Sequence, residues 1–346
     1  MAWSCSPPCC CPSRPGNALP DLRSSSPKRR CRRQSNVYST NGKPEPMSTL
    51  DLSTSDAAIH AADAGAGVAE WLRDPTPRVT AVDSHAHVFV RGLPLAPQRR
   101  HAPDYDATLD TYVRYLAGND VSHAVLVQPS FLGTDNSFFA AICRKYPQRF
   151  RGVAVVAPAV SDEELESLAD AGVVGMRLNL LGLPLPDLRS GDWRRLLARA
   201  NSLRWHVEVH REARDLPVVV SELLARRCTV VVDHFGRPNA EAGVSDPGFR
   251  YLLSIADTGK VWVKLSAAYR SSRGDGGLDL GEELTPLLLE AFSAERLVWG
   301  SDWPHTEHQD LIDYAASLRA LATWVPEEWT RLAILSRSAR ELFRFG

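Results

Sequence analysis

The segment 79–89, Val-Thr-Ala-Val-Asp-Ser-His-Ala-His-Val-Phe, sets His85 and His87 two residues apart at the end of an apolar run. In a β-strand the side chains alternate between faces, so Asp83, His85 and His87 are expected on one face and Val82, Ser84 and Ala86 on the other. Two imidazoles projecting together suit a divalent metal, an acid–base pair or the polarisation of a carbonyl oxygen. A single histidine at a strand end is more often a packed, hydrogen-bonded residue, so the functional reading depends on what the rest of the chain brings to the same place.

Short β-branched runs recur from residue 79 onward. Eight are candidate strands: 79–89, 123–129, 152–158, 173–180, 205–210, 229–234, 261–266 and 297–302. Between them lie helix-like stretches, among them 108–118, 136–146, 162–171, 192–203, 216–227 and 282–292, and 308–322 and 327–343 read as the eighth and closing helices. Strand–helix repetition of this kind predicts a parallel sheet, and eight repeats over about 260 residues predict a (β/α)₈ TIM barrel as one domain. The competing doubly wound sheet calls for a glycine-rich phosphate loop after an early strand, and the sequence has none.

In such a barrel the chemistry sits at the C-terminal ends of the strands. The candidate strands end in His85 and His87, then Gln128 and Ser130, Arg177 and Asn179, Glu208 and His210, Asp233 and His234, Lys264 and Ser266 with Tyr269 and Arg270 beyond, and finally Ser301 and Asp302. Polar groups gathered at one end of successive strands are the pattern of an active site. His60, His101, His123 and His206 lack partners at those ends and read as structural or exposed. His305 and His308 read as loop or helix-start residues.

The formal charge of −1 and 44% hydrophobic content are ordinary for a globular protein and point to no nucleic-acid partner. No apolar run reaches the 18 or so residues that a membrane span needs. Five of the seven cysteines lie before residue 32, in a Ser/Pro-rich stretch with eight Lys/Arg against two acidic residues up to Leu50. Residues 1–50 therefore read as a disordered basic extension, with Met47 as an alternative start, 51–78 as a lead-in and 79–346 as the barrel. The other cysteines, Cys143 and Cys228, lie in apolar surroundings and suit a reducing cytoplasm.

Four motifs in order, Asp83-Ser-His-Ala-His87, Gly175-Met-Arg177, Val232-Asp-His-Phe-Gly-Arg-Pro238 and Trp299-Gly-Ser-Asp-Trp-Pro-His305, resemble the amidohydrolase superfamily, and within it the 2-pyrone-4,6-dicarboxylate lactonase branch. The resemblance implies a hydrolase, expected to be a lactonase acting on a carboxylated or sugar lactone, with Asp302 as the base that activates water. It makes His85, His87 and His234 the groups that stabilise the carbonyl oxygen, and Arg177 and Arg270 the grip on a substrate carboxylate, with Gln128, Ser130 and His210 as further substrate contacts. An ion pair of Arg177 with Glu208 or Asp83 is the structural alternative.

Many superfamily members hold two metals bridged by a carboxylated lysine on the fourth strand. This chain has Arg177 there, so at most one divalent ion, Zn or Mn, is expected, held by His85, His87, His210, His234 and Asp302. The chain departs from the pyrone lactonases in carrying His210 where they have a tyrosine, and 183–186, Leu-Pro-Leu-Pro, where they have a second arginine. A metal-dependent amidohydrolase or decarboxylase of a carboxylated small molecule is the alternative reading, and oligomeric state is not encoded in any readable pattern.

Overall fold

The computed structural model describes residues 66–271 and 277–346. The expectations for residues 1–50, and for 51–65 of the lead-in, lie outside the described residues. After a short helix, α1 (Ala66–Arg73), eight strands alternate with helices: β1 (Val82–Ala86), α2 (Leu109–Gly118), β2 (His123–Val127), α3 (Ser137–Lys145), β3 (Phe150–Ala154), α4 (Asp162–Asp170) and β4 (Val173–Asn179). The series continues with α5 (Gly191–Ser202), β5 (His206–His210), α6 (Leu216–Ala225), β6 (Val230–Val232), α7 (Pro247–Ser254), β7 (Val261–Leu265), α8 (Leu278–Phe292), β8 (Leu297–Trp299) and α9 (Tyr314–Trp324). All neighbouring pairs from β1 to β8 run parallel in chain order, the topology of a (β/α)₈ barrel.

The local sequence accounts for the helix starts. Thr108 and Ser161 accept hydrogen bonds from the backbone N–H groups of Thr111 and Glu164, and Asp246 caps α7 with Pro247 as its first residue. Asp313 caps α9 in the same way, so that helix begins at Tyr314. The expected start at 308 is thus too early: His308, Leu311 and Ile312 belong to a loop of successive turns. The expected closing helix, 327–343, is divided into Glu328–Leu332, a wide turn of π type over Ala333–Ser338, and Ala339–Phe343.

Closure brings β8 back against β1. Asp302 donates its backbone N–H to the His85 carbonyl at 2.8 Å, and His87 donates to the Trp303 carbonyl at 2.8 Å. A Cβ on Gly300 would lie 2.6 Å from the His85 Cβ, so only glycine lets the two chains approach this closely. The pairing of β1 with β2 corrects the reading of strand one. The register shifts between Asp83 and Ala86, and strict alternation breaks there. Asp83 therefore leaves the histidine face: its carboxylate accepts from Tyr112 of α2 at 2.8 Å and from the Ser301 backbone and hydroxyl at 2.8 and 2.6 Å. It clasps the seam, while His85 and His87 turn into the lumen.

Two apolar layers result. The larger lies between the strands and the helix ring; the smaller fills the lower lumen with Val82, Val125, Val127, Val153, Val174 and Val298, plugged from below by Phe343 and Phe345. Gly175 belongs to the boundary above that plug, where a Cβ would fall 2.5 Å from the His206 ring.

Candidate active site

Above the plug the lumen is polar and opens into a cleft of about 420 Å³. His87, Ser130, Arg177, His210, His234, Arg270 and Asp302 line it, and His85 lies directly behind Asp302. Seven of the nine candidate residues thus line one cleft and His85 backs it. Gln128 does not line it: its amide donates to the Gly133 and Asp135 carbonyls at 3.1 and 2.7 Å and shapes the loop after β2.

Asp302 is the centre. It sits in the left-handed backbone region at φ 61°, as does His234 at φ 53°, conformations that non-glycine residues adopt at a cost of order 1–3 kcal/mol and that cluster at functional sites. Its two oxygens differ. Oδ2 accepts from Arg270 Nε at 2.7 Å and from the buried Tyr269 hydroxyl. Oδ1 faces His85 Nε2 and His87 Nε2, each at 3.8 Å. That spacing is too long for a direct hydrogen bond and suits an oxygen atom seated between the groups.

Burial would raise the Asp302 pKa, but the charge of Arg270, and after it the neighbouring imidazoles, hold it well below the ordinary carboxylate range. Burial has the opposite effect on the histidines. It brings His87 down to about 4 and His234 to about 3, and it drives His85 and His210 well below the ordinary imidazole value. At neutral pH the cleft therefore holds neutral imidazoles around one carboxylate.

The imidazoles are anchored from behind. His87 donates from Nδ1 to the Val127 carbonyl at 2.8 Å, and His234 Nδ1 lies 2.8 Å from the Ser266 hydroxyl. His210, set beside Asn179 by the β4–β5 register, donates from Nδ1 to the Asn179 amide oxygen at 3.3 Å, which also accepts from Arg100 at 3.2 Å. Arg177 directs Nε and Nη2 to Asp233 Oδ2, each at 2.9 Å, so its carboxylate partner is Asp233 and neither Glu208 nor Asp83. Below them, fully buried Lys264 reaches the carboxylate of Glu208, Asp233 Oδ1 at 3.4 Å and His85 Nδ1 at 3.0 Å. Asp233 is held well below the ordinary carboxylate range: burial opposes this, and the charges of Lys264 and Arg177 prevail.

Spacing alone admits a metal ion, since ligand atoms of His85, His234 and Asp302 lie within 4.8 Å of one another, as do those of His210, Asp233 and His234. The hydrogen bonding fits one at His87 and His210 and not at His85 or Asp302. A metal-binding histidine hands its second N–H to an acceptor, as His87 does, whereas the second nitrogen of His85 faces the Lys264 amine. Asp302 likewise has one oxygen already committed to Arg270 and Tyr269.

Several residues of the cleft escaped the sequence reading. His101, read as structural or exposed, lines the mouth and pairs with Glu307 at 2.7 Å, joining the loop after β1 to the loop after β8. Arg100 and Thr306 line it from the same two loops, whose fold is not periodic and left no signal. Asn179, named in the sequence with Arg177 at the end of the fourth strand, lies two residues beyond it and therefore on the same face of β4.

The amidohydrolase family profile matches residues 82–345. A 2-pyrone-4,6-dicarboxylate hydrolase of Comamonas testosteroni is 33% identical over 260 residues, covering 70% of this chain and 85% of that protein. A 4-sulfomuconolactone hydrolase of Hydrogenophaga intermedia is 27% identical over 273 residues, covering 75% and 88%. The crystal structure of a Pseudomonas putida protein assigned provisionally as a 2-pyrone-4,6-dicarboxylic acid hydrolase superposes with a TM-score of 0.73 at 44% identity, covering 78% of this chain and 98% of that one.

Proposed function

Because the chain belongs to the amidohydrolase family, we propose that its cleft opens a carboxylated lactone with water activated by Asp302. The chain is a hydrolase, and its function is lactone hydrolysis, in keeping with the relatives named for hydrolysis of a pyrone dicarboxylate and a sulfomuconolactone. The observation that carries the mechanism is the asymmetry of Asp302: Oδ2 is fixed by Arg270 and Tyr269, and Oδ1 is left open opposite two imidazole nitrogens.

Water held at Oδ1 attacks the lactone carbonyl carbon and gives its proton to Oδ1. The carbonyl π pair moves onto oxygen, where imidazole N–H groups from His85 and His234 stabilise the growing charge. The tetrahedral adduct then collapses, the ring C–O bond breaks, and the departing oxygen recovers the proton from Asp302. The products are a carboxylic acid, which loses its proton to solvent and becomes a carboxylate, and a hydroxyl or enol on the same open chain. No step passes through a metal, since His85 and Asp302 act here through hydrogen bonds.

Arg270 couples substrate to base. It is the first charge holding Asp302 low, so a substrate carboxylate that shares Arg270 loosens that grip and makes Asp302 a better proton acceptor as the substrate seats. Arg100, Arg177 and Ser130 provide further donors around the same space. The substrate class is therefore a small anionic lactone, with no nucleic-acid or membrane partner. Among the described residues no helix is long and apolar enough to cross a membrane. The buried free thiols Cys143 and Cys228 favour a cytoplasmic setting.

A panel of carboxylated and neutral lactones, followed by a pH indicator with wild type and Asp302→Asn and with metal content measured on the same samples, tests the proposal. Acid release with anionic lactones that Asp302→Asn abolishes is expected. Carbon dioxide release from a carboxylated aromatic, with no lactone consumed, would establish the decarboxylase instead, and activity lost on chelation and restored by zinc would overturn the metal-free mechanism.

A further inference from the structure

His85 and His87 are chemically alike, yet they are held from behind by opposite kinds of partner. His87 Nδ1 meets a carbonyl oxygen, which can only accept, so its proton is on Nδ1 and Nε2 carries a lone pair. His85 Nδ1 meets Lys264 Nζ at 3.0 Å, and a lysine ammonium can only donate. Both Nε2 atoms stand 3.8 Å from the same carboxylate oxygen.

We infer that Lys264 is a positioning residue that fixes His85 as the Nε2–H tautomer, making it a hydrogen-bond donor in the cleft while His87 serves as an acceptor. The inference rests on the hydrolytic reading of the site for its consequence, though not for the tautomer itself. One competitor faces His85 Nδ1: Asp233 Oδ1, at 3.5 Å, would accept an Nδ1–H and reverse the assignment. Lys264 is nearer by half an ångström and itself lies 3.4 Å from that same oxygen, which draws the oxygen's lone pairs to the ammonium. The other Asp233 oxygen is taken by Arg177.

The division of labour follows. The His85 Nε2–H points to where negative charge develops on the lactone carbonyl oxygen, and the His87 lone pair accepts a hydrogen bond from one O–H of the attacking water while Asp302 Oδ1 takes the proton of the other. Lys264 touches neither water nor substrate. Its effect passes through one imidazole ring, and it is anchored for that purpose by Glu208 and Asp233, all three fully buried.

The test is spectroscopic and needs no substrate. In protein labelled with ¹⁵N-histidine, with the His85 signals identified by their loss in His85→Gln, Nε2 is expected to carry the proton and Nδ1 to be bare; a proton on Nδ1 overturns the inference. The paired variant Lys264→Met/Glu208→Gln removes the donor without leaving a lone buried charge. It is expected to transfer the His85 proton to Nδ1, toward Asp233, and to lower kcat on an accepted lactone about 10²–10³-fold with KM within about threefold. An unchanged tautomer in a variant that keeps its near-ultraviolet dichroism also overturns it. Should the variant fail to fold, the wild-type spectrum decides alone. Should no lactone be turned over, the hydrolytic reading fails and the tautomer still stands or falls on that spectrum.

Discussion

The two halves of the barrel lumen are built from the same eight strands and have opposite chemistry. The lower half is a plug of valines closed by Phe343 and Phe345. The upper half buries Lys264, Glu208, Asp233, Arg177, Asp302 and the imidazoles of His85, His87, His210 and His234. Apolar burial of the first kind is favourable at about 25 cal/mol per Å², whereas removing ions from water costs several kcal/mol each before their mutual attraction repays it. The lower half holds the barrel together, and the upper half is tolerated because every charge in it has a partner and the pairs orient the site.

Four outcomes would sharpen or break this contrast. The largest concerns Asp302→Asn, which removes the base: kcat/KM for an accepted lactone is expected to fall about 10³–10⁴-fold, with the unfolding midpoint lowered, because Arg270 loses its carboxylate, but by less than opening the plug lowers it. A loss of stability as large as that from opening the plug would mean that Asp302 serves the fold. Phe343→Ala, at the other end of the lumen, is expected to cost about 3–5 kcal/mol in urea unfolding and to leave kcat within about twofold of wild type. A large drop in kcat there would show that plug and site are coupled.

The third outcome is read from pH. The acid limb of activity is expected near pH 4, where His87 takes up a proton and loses its accepting lone pair, because Asp302, held down mainly by Arg270, stays ionised to lower pH. The stability linkage has the same sign: the contribution is present above the unfolded value, about 3.9, and is lost as pH drops through the folded one. Arg270→Gln leaves burial to raise the Asp302 pKa and should move the acid limb of the kcat profile above that of wild type; an unmoved limb would remove Arg270 as the governing charge. The smallest effect is expected of Arg100→Gln at the mouth. Its KM for an anionic lactone should rise about fivefold at low salt and less at high salt, with kcat unaltered.

The fold was readable in the order of eight β-branched runs and the helices between them, because a side-chain period of two and capping by Ser, Thr and Asp are local properties. The same locality revealed His85, His87, Arg177, His234 and Asp302, which recur at one end of successive strands. Asp83 was misplaced because the register shift lies in the pairing of β1 with β2 and the partners of its carboxylate, Ser301 and Tyr112, are distant in the chain. His101 was overlooked for a similar reason: its partner, Glu307, is on the loop after the last strand.

The amino-acid order by itself determined that polar groups of hydrolytic type stand at the strand ends of a barrel. Only the tertiary structure decided which atom of each group faces the cleft and which is held from behind. Whether an imidazole donates or accepts, and which oxygen of a carboxylate remains open, depends on the atom behind it. For His85 that atom belongs to Lys264, 179 residues away in sequence and 3.0 Å away in space.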